Sequence, residues 1–348
     1  MTSLAGSQNT DRDIDPNAPP RPDELPTVAD VKAARQRIAG AAVRTPMLES
    51  ILLNQRLGGR LLIKPECLQK TGSFKFRGAY NKLSSLSDAE KACGVVAYSS
   101  GNHAQGVAAA AQMLGIDATI VMPADAPAIK LANTRAYGAN VITYDRFTEN
   151  REAIGNAIAS EKGAVLVAPY DDPYVMAGQG TIGYEIAEQV KELGAVPDAV
   201  LVNCGGGGLI SGTALALSDA MPGLPVYAVE PALFDDTKRS LESGNREKVP
   251  PEARSICDAL LAPMPGRLTF ALNKKLLAGG FGVTDDEVRE AMRVAFTELK
   301  LVVEPGGAVS LAAILSGKID IEGKTLVAVV SGGNVDPAQF AEILAEGS

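Results

Sequence analysis

Short, unbroken apolar runs punctuate this chain at 61–63, 94–98, 118–122, 141–144, 164–167, 199–203, 226–230 and 325–330. Each has the length of a strand buried on both faces. Between many of them lie alanine-rich stretches with helical spacing, at 104–114, 127–137, 151–162, 178–193 and 209–219. Pro127 would stand in the first turn of its helix, where a missing N–H costs nothing. Strand and helix alternating in this rhythm predict an α/β protein of mostly parallel sheets, with helices on both faces. Eight such strands crowd a single open sheet, so two lobes with a cleft between them are expected. Upstream, prolines 16, 19, 20, 22 and 26 and few large apolar residues mark 1–26 as a disordered arm. A capping box at Thr27 and Asp30 opens a helix whose apolar positions Val28, Val31, Ala34 and Ile38 run until Gly40. No internal repeat is visible.

In open parallel sheets, ligands bind where strands end and helices begin. Four such junctions carry unusual chemistry. Gly205-Gly206-Gly207-Gly208 follows the run at 199–203 and opens the helix at Leu209. Successive glycines let backbone N–H groups curl around an anion, and a helix N-terminus adds partial positive charge. The run lacks the last glycine of a dinucleotide fingerprint, although Glu230 stands near the ribose-binding distance. No Lys-Ser/Thr follows to make a P-loop. A monophosphate cradle remains.

The second junction is Ser99-Ser100-Gly101-Asn102-His103, whose hydroxyls, amide and backbone N–H groups suit a carboxylate. In the third, Lys70-Thr-Gly-Ser-Phe-Lys-Phe-Arg-Gly78, Lys75 stands between Phe74 and Phe76. An apolar setting lowers an amine's pKa and frees it as a nucleophile. The fourth, Ser331-Gly-Gly-Asn334, puts a small hydroxyl at the end of a buried strand. Taken singly, these read as an N-cap turn, a solvated lysine loop and a simple turn. Together they describe one ligand set: an aldehyde for the amine, a phosphate for the glycines and an amino-acid carboxylate for the Ser-Asn turn. Pyridoxal phosphate with an amino-acid substrate meets all three.

Composition narrows the alternatives. Among 348 residues, 46% hydrophobic and 21% charged is ordinary globular usage. The balance of 33 Lys+Arg against 41 Asp+Glu, net −8, argues against nucleic acid as a partner. No apolar run approaches the roughly 20 residues of a bilayer span, so no membrane partner is expected. The N-terminal segment has no hydrophobic signal core, and the four cysteines lack CxxC spacing; both suit the cytoplasm. With one histidine, a multi-histidine metal site is impossible.

The segment Thr71-Gly-Ser-Phe-Lys-Phe-Arg-Gly78, the turn Ser99–His103, the tetraglycine and Ser331-Gly-Gly-Asn-Val-Asp336 resemble the serine/threonine dehydratase and serine racemase family. These are fold type II pyridoxal phosphate enzymes, tryptophan synthase β-subunit-like, and the motifs occur in the family's order. The resemblance implies a large cofactor-binding domain of 27–87 and 170–348, with a small mobile domain at 88–169. It implies that Lys75 holds the cofactor covalently and that Phe74 packs beside its ring. Asn102 would face the phenolic oxygen, Gly205 to Gly208 the phosphate, and Ser331 the pyridine nitrogen. Ser99, Ser100, Gly101, Asn102 and His103 would bind substrate.

Glu230-Pro-Ala-Leu-Phe-Asp-Asp236 resembles the family's divalent-cation loop, with Glu230, the Phe234 carbonyl and Asp236 as ligands. Oxygen donors suit magnesium first, with calcium or manganese as alternatives. The implied reaction is β-elimination from L-threonine, L-serine or 3-hydroxyaspartate, giving a 2-oxo acid and ammonia. The alternative is racemisation, alone or alongside elimination, with Lys75 and Ser100 as opposed acid/base groups. Serine at position 100 is shared with the racemases and hydroxyaspartate dehydratases, whereas many threonine dehydratases carry alanine. Arg151 is a candidate partner for a second substrate carboxylate. The segment 255–260 departs from the family's glycine-rich turn. No C-terminal regulatory domain is expected after the Ser331 motif, and a homodimer is what the family implies.

Overall fold

The structure, a computed structural model, describes residues 19–99, 101–126 and 128–346. It contains ten strands: β1 (Leu48–Glu49), β2 (Arg60–Pro65), β3 (Val95–Tyr98), β4 (Ala118–Pro123), β5 (Asn140–Tyr144), β6 (Val165–Leu166), β7 (Ala199–Asn203), β8 (Val226–Pro231), β9 (Gly279–Val283) and β10 (Thr325–Val330). Six form one sheet in the order β1-β2-β10-β7-β8-β9, and four form a second in the order β5-β4-β3-β6. Every pairing is parallel except that of β1 with β2.

The expected two-sheet α/β architecture is therefore observed. Its cause lies in the period-two alternation of strands with no polar face. Leu62, Val200, Val202, Val327 and Val329 pack on one face of the larger sheet, against Ile182, Ile186 and Ile210 of the helices Pro173–Glu192 and Gly208–Ala220. Their neighbours Leu61, Ile63, Leu201, Leu326 and Ala328 point the other way, against Val288, Met292, Val309 and Leu311. One apolar run thus fills two cores. The smaller sheet packs Val95, Ala97, Ile120 and Met122 against Ala104, Val107, Ala108 and Ala111 of the helix Asn102–Leu114.

The eight expected strands all occur, those at 199–203 and 325–330 with the expected ends and the other six with ends shifted by a residue or two. The sequence reading omitted β1 and β9, both edge strands of the large sheet; β1 has two residues and β9 reads Gly-Gly-Phe-Gly-Val. Neither has an apolar run to reveal it. The Thr27 capping box is present, with Thr27 Oγ1 accepting from Asp30 N and Asp30 Oδ2 accepting from Thr27 N. Of the expected arm, 1–18 lie outside the described residues. Pro22–Glu24 form a 3₁₀ turn, and Glu24 pairs with Arg267 at 3.0 Å, so folded structure begins ahead of Thr27. Pro127 also lies outside the described residues; the helix after it runs Ala128–Ala136. Among the described residues no helix is long and apolar enough to cross a membrane.

Candidate active site

The C-terminal ends of β3, β7 and β10 converge on one pocket between the two sheets. Its lining includes Phe74, Lys75, Ser99, Gly101, Asn102, His103, the four glycines and Ser331. The four sequence motifs, 71–78, 99–103, 205–208 and 331–334, thus meet in space. Ser100, the proposed second acid/base, lies outside the described residues.

Lys75 opens the helix Lys75–Ser84, and both ends of that junction are pinned. Phe74 N donates to Ser331 O at 3.1 Å, while Ser73 bridges Gly332 just beyond β10. Beneath the helix, the fully buried Arg77 pairs with Glu66 at 2.8 Å and Glu185 at 2.6 Å, and Lys64 also pairs with Glu185. A buried guanidinium with this many acceptors fixes helix orientation, since breaking one link strands a charge. The Lys75 amine lies 5.2 Å from the Phe74 ring and donates to Pro169 O at 2.6 Å. Burial lowers its pKa to about 8, opposed by the nearby Glu304 carboxylate. The amine pKa moves in the direction expected from the sequence, but of the two flanking phenylalanines only Phe74 lies against the amine; Phe76 is buried in the core of the smaller sheet.

The glycine loop joins β7 to the helix Gly208–Ala220. Gly207 has φ +93°, a conformation that favours glycine. A Cβ on Gly208 would lie 3.0 Å from Tyr170 backbone atoms, and one on Gly206 would run into the Tyr170 ring. Side chains here would fill the concavity, so the loop is built as a cradle of bare backbone at a helix N-terminus, a setting for phosphate. Ser331 is 4% exposed, its carbonyl taking Phe74 N and its own N–H reaching Gly307 O at 3.3 Å. The backbone of Ser331 is thereby fixed at the pocket wall. These features fit pyridoxal phosphate.

Asn102 begins the helix Asn102–Leu114 and is buried. Its Nδ2 donates to Glu304 Oε1 at 2.5 Å, and its Oδ1 accepts from Asn334 Nδ2 at 2.8 Å. One Nδ2 hydrogen stays available for a ligand, since a primary amide has two. His103 is turned away from acid/base work. Its Nε2 lies 2.9 Å from Val167 O, which can only accept, so Nε2 carries the proton. Burial foremost, with Lys75 nearby, lowers its pKa to about 3, leaving a neutral ring.

Several pocket residues escaped the sequence reading. Glu304 is 1% exposed with Oε2 unpartnered; burial raises its pKa to about 7, partly offset by Lys130. Lys130 pairs with Asp258, and Tyr98, Tyr170 and Asn203 complete the wall. The signal for Glu304 was its place directly before Pro305-Gly306-Gly307, an acid at a helix start. Arg151, at the head of the helix Arg151–Lys162, lines the same pocket, with its guanidinium 5.6 Å from the Tyr98 ring. Among the described residues it forms no ion pair.

The candidate cation ligands stand apart, at the end of β8. Glu230 and Asp236 are 0% and 1% exposed. Glu230 accepts from Thr237 N and Lys238 N, capping the helix Asp236–Ser243, while Asp236 Oδ2 is buried with no partner. Burial, and then for Glu230 the neighbouring Asp236, raises both carboxyl pKa values, that of Asp236 to about 7. A cation would resolve that mutual repulsion, so the pair fits one. Among the described residues no group of three or more His, Cys, Asp or Glu side chains could hold a metal; the expected set has two carboxylates and a carbonyl.

A buried lysine with a lowered pKa, a loop of four glycines and a turn of small polar residues meeting at the ends of parallel strands make a pocket of the kind that suits a pyridoxal cofactor. The chain belongs to the pyridoxal-phosphate dependent enzyme family, which it matches over residues 38–332. It is 42% identical over 320 residues to an L-threo-3-hydroxyaspartate ammonia-lyase of Saccharomyces cerevisiae, covering 92% of this chain and 97% of that one. It is 40% identical over 322 residues to a serine racemase of Schizosaccharomyces pombe, covering 92% and 98%. Among solved structures, a maize serine racemase superposes with TM-score 0.86 at 38% identity, covering 93% of this chain and 98% of that one.

Proposed function

We propose that this enzyme removes water from a 3-hydroxy amino acid, and that the dicarboxylic member, 3-hydroxyaspartate, is favoured over L-serine and L-threonine. The observation that carries the reaction is the desolvated Lys75 amine facing the glycine cradle and the carboxylate turn across one pocket. What favours the dicarboxylate is Arg151, a pocket-lining cation without a carboxylate partner among the described residues.

When bound, the cofactor supplies an electron sink that makes the substrate's α-proton acidic. The chain does the rest. Gly205 to Gly208 and the start of the helix Gly208–Ala220 hold the phosphate. Phe74 and Ser331 would flank the ring, and the second Nδ2 hydrogen of Asn102 would serve the phenolic oxygen. The backbone N–H groups of Asn102 and His103, which open the helix Asn102–Leu114, would receive the substrate's α-carboxylate, with Ser99 and Gly101 shaping the turn ahead of them. Lys75 would hold the cofactor, and its Nζ, desolvated and with a lowered pKa, would take the proton from Cα. The proton taken from Cα balances the one the β-hydroxyl needs to leave as water; the freed enamine tautomerises to an imine, and one water replaces its nitrogen as ammonia. The net products are a 2-oxo acid and ammonia. Racemisation is the second reading: relatives include serine racemases, and Ser100 supplies a hydroxyl that could serve the opposite face of Cα.

The division into 27–87 with 170–348 and a mobile 88–169 belongs to this proposal, since a closing small lobe would exclude water. So do a divalent cation at Glu230, Phe234 and Asp236, a homodimer and a cytoplasmic location.

A panel of hydroxy amino acids scored for 2-oxo acid, with chiral analysis of the remainder, tests the proposal. Arg151→Met is expected to lower kcat/KM for 3-hydroxyaspartate by about tenfold to a hundredfold, the cost of leaving a carboxylate unpaired, and to spare serine. Equal losses on all substrates would remove Arg151 from recognition. Lys75→Ala is expected to abolish elimination and the visible absorption of the bound cofactor; retained turnover would reject the mechanism. Ser100→Ala should end racemisation and spare dehydration.

A further inference from the structure

Lys130 is a lysine in an unusual place. It stands on the helix Ala128–Ala136 beside the smaller sheet, yet its side chain is only 6% exposed and lines the active-site pocket. Its Nζ lies 2.6 Å from Asp258 Oδ2 and 3.4 Å from where Gly101 would carry a Cβ, so the ammonium sits over the carboxylate-binding turn. Asp258 comes from the other side of the cleft. It opens the 3₁₀ turn Asp258–Leu260, whose Leu260 packs on Gly205 of the glycine loop and on Gly306 beside Glu304. Its side chain is 47% exposed, so one partner is buried and the other stands at the rim.

A lysine stem can be buried cheaply, but its ammonium cannot lose water without an anion to meet it. The helix Ala128–Ala136 can therefore sit against the pocket only while a negative group faces Lys130. The charged groups around it are Asp258, in contact, then Glu304 and Asp336. Of these, Asp258 is hydrogen-bonded to Lys130, while Glu304, bonded through Oε1 to Asn102, acts on it only through charge. Asn102 bonds to Glu304 and Asn334 as neutral-donor links across the cleft, whereas Lys130–Asp258 is an ion pair.

We infer that Lys130 is a positioning residue, holding the smaller lobe shut over the bound substrate through its ion pair with Asp258 across the cleft. The inference rests on the proposed elimination, whose α-proton transfer needs the turn at Gly101 and Asn102 held against Lys75. In this role the pair acts through the turn it holds, and not on the reacting atoms. It sets how much of the protein is closed when substrate is present, so its loss falls on KM ahead of kcat.

The test uses the full-length protein carrying Lys130→Met, Asp258→Asn, both together, or Lys130→Arg. Each single variant is expected to raise KM for the best substrate of the panel by about tenfold with kcat changed less. The double variant should be no worse than the worse single, and Lys130→Arg should keep most of the wild-type KM. Amide exchange should quicken over 128–136 and stay unchanged in β7 and β10, with and without cofactor. Additive losses in the double variant, unchanged exchange over 128–136, or an arginine variant as impaired as the methionine one would each overturn the latch. Should Lys130→Met fail to fold, Asp258→Asn carries the same comparison, because its side chain is half exposed. If the wild-type enzyme eliminates water from no panel member, the reaction is refuted while the exchange data still decide the latch.

Discussion

At Lys75 burial and charge oppose each other, and burial wins. The amine pKa falls from 10.5 to about 8 even though the Glu304 carboxylate works to raise it. An amine attacks an aldehyde only when neutral, and it is neutral above its pKa. The rate at which the apoprotein takes up the cofactor aldehyde is therefore expected to rise with pH through a midpoint near 8 and then level off. Glu304 is ionised there, its own pKa being about 7, so Glu304→Gln removes a charge that holds the lysine proton on. The midpoint should then move to lower pH. Stopped-flow absorbance on the two proteins reads both limbs; a midpoint near 10 in the wild type would mean a solvated amine. Lys75 was legible because Phe74, which lies against its amine, is its neighbour in the chain. Glu304 was not, because its environment is assembled by Asn102 and Lys130, each more than 150 residues away in sequence.

Among the elements, the glycine loop shows how far a motif predicts geometry. Four glycines after an apolar run announced a turn with backbone to spare, and β7 and the helix Gly208–Ala220 flank it as expected. The sequence could not say which glycine is irreplaceable. Gly207 combines φ +93° with Thr269 Oγ1 2.8 Å from its would-be Cβ. Gly207→Ala is expected to cost about 1–3 kcal/mol from the backbone alone and to weaken cofactor binding at least about tenfold, the loop having to tilt off its helix axis. Gly205, whose nearest would-be contact is Leu260 at 3.2 Å with negative φ, should tolerate alanine better. Urea unfolding of the apoprotein and cofactor titration separate the two effects. Equal tolerance at both positions would mean that the loop is adaptable. The edge strands β1 and β9 illustrate the opposite limit. Their pairing partners alone make them strands, and no local pattern encodes a partner.

For the molecule as a whole, the two cores were readable because each central strand is apolar on both faces, whereas contacts between lobes depend on how the sheets come together. The candidate cation loop joins β8 of the six-stranded sheet to the helix Asp236–Ser243. There the structure buries two carboxyl groups together and leaves Asp236 Oδ2 with no donor. Such an arrangement is costly unless a cation or a proton is shared between them. A cation that binds the folded chain and not the unfolded one adds about 2.7 kcal/mol at a hundred times its dissociation constant. Magnesium, calcium or manganese added to chelator-treated apoprotein is therefore expected to raise the thermal midpoint by several degrees. Asp236→Asn should abolish that response and, by removing one of two repelling acids, lift the cation-free midpoint. An unresponsive wild type would mean that a proton, and no metal, reconciles the two carboxyl groups. In that case the end of β8 is held by Glu230 capping its helix through Thr237 and Lys238 alone.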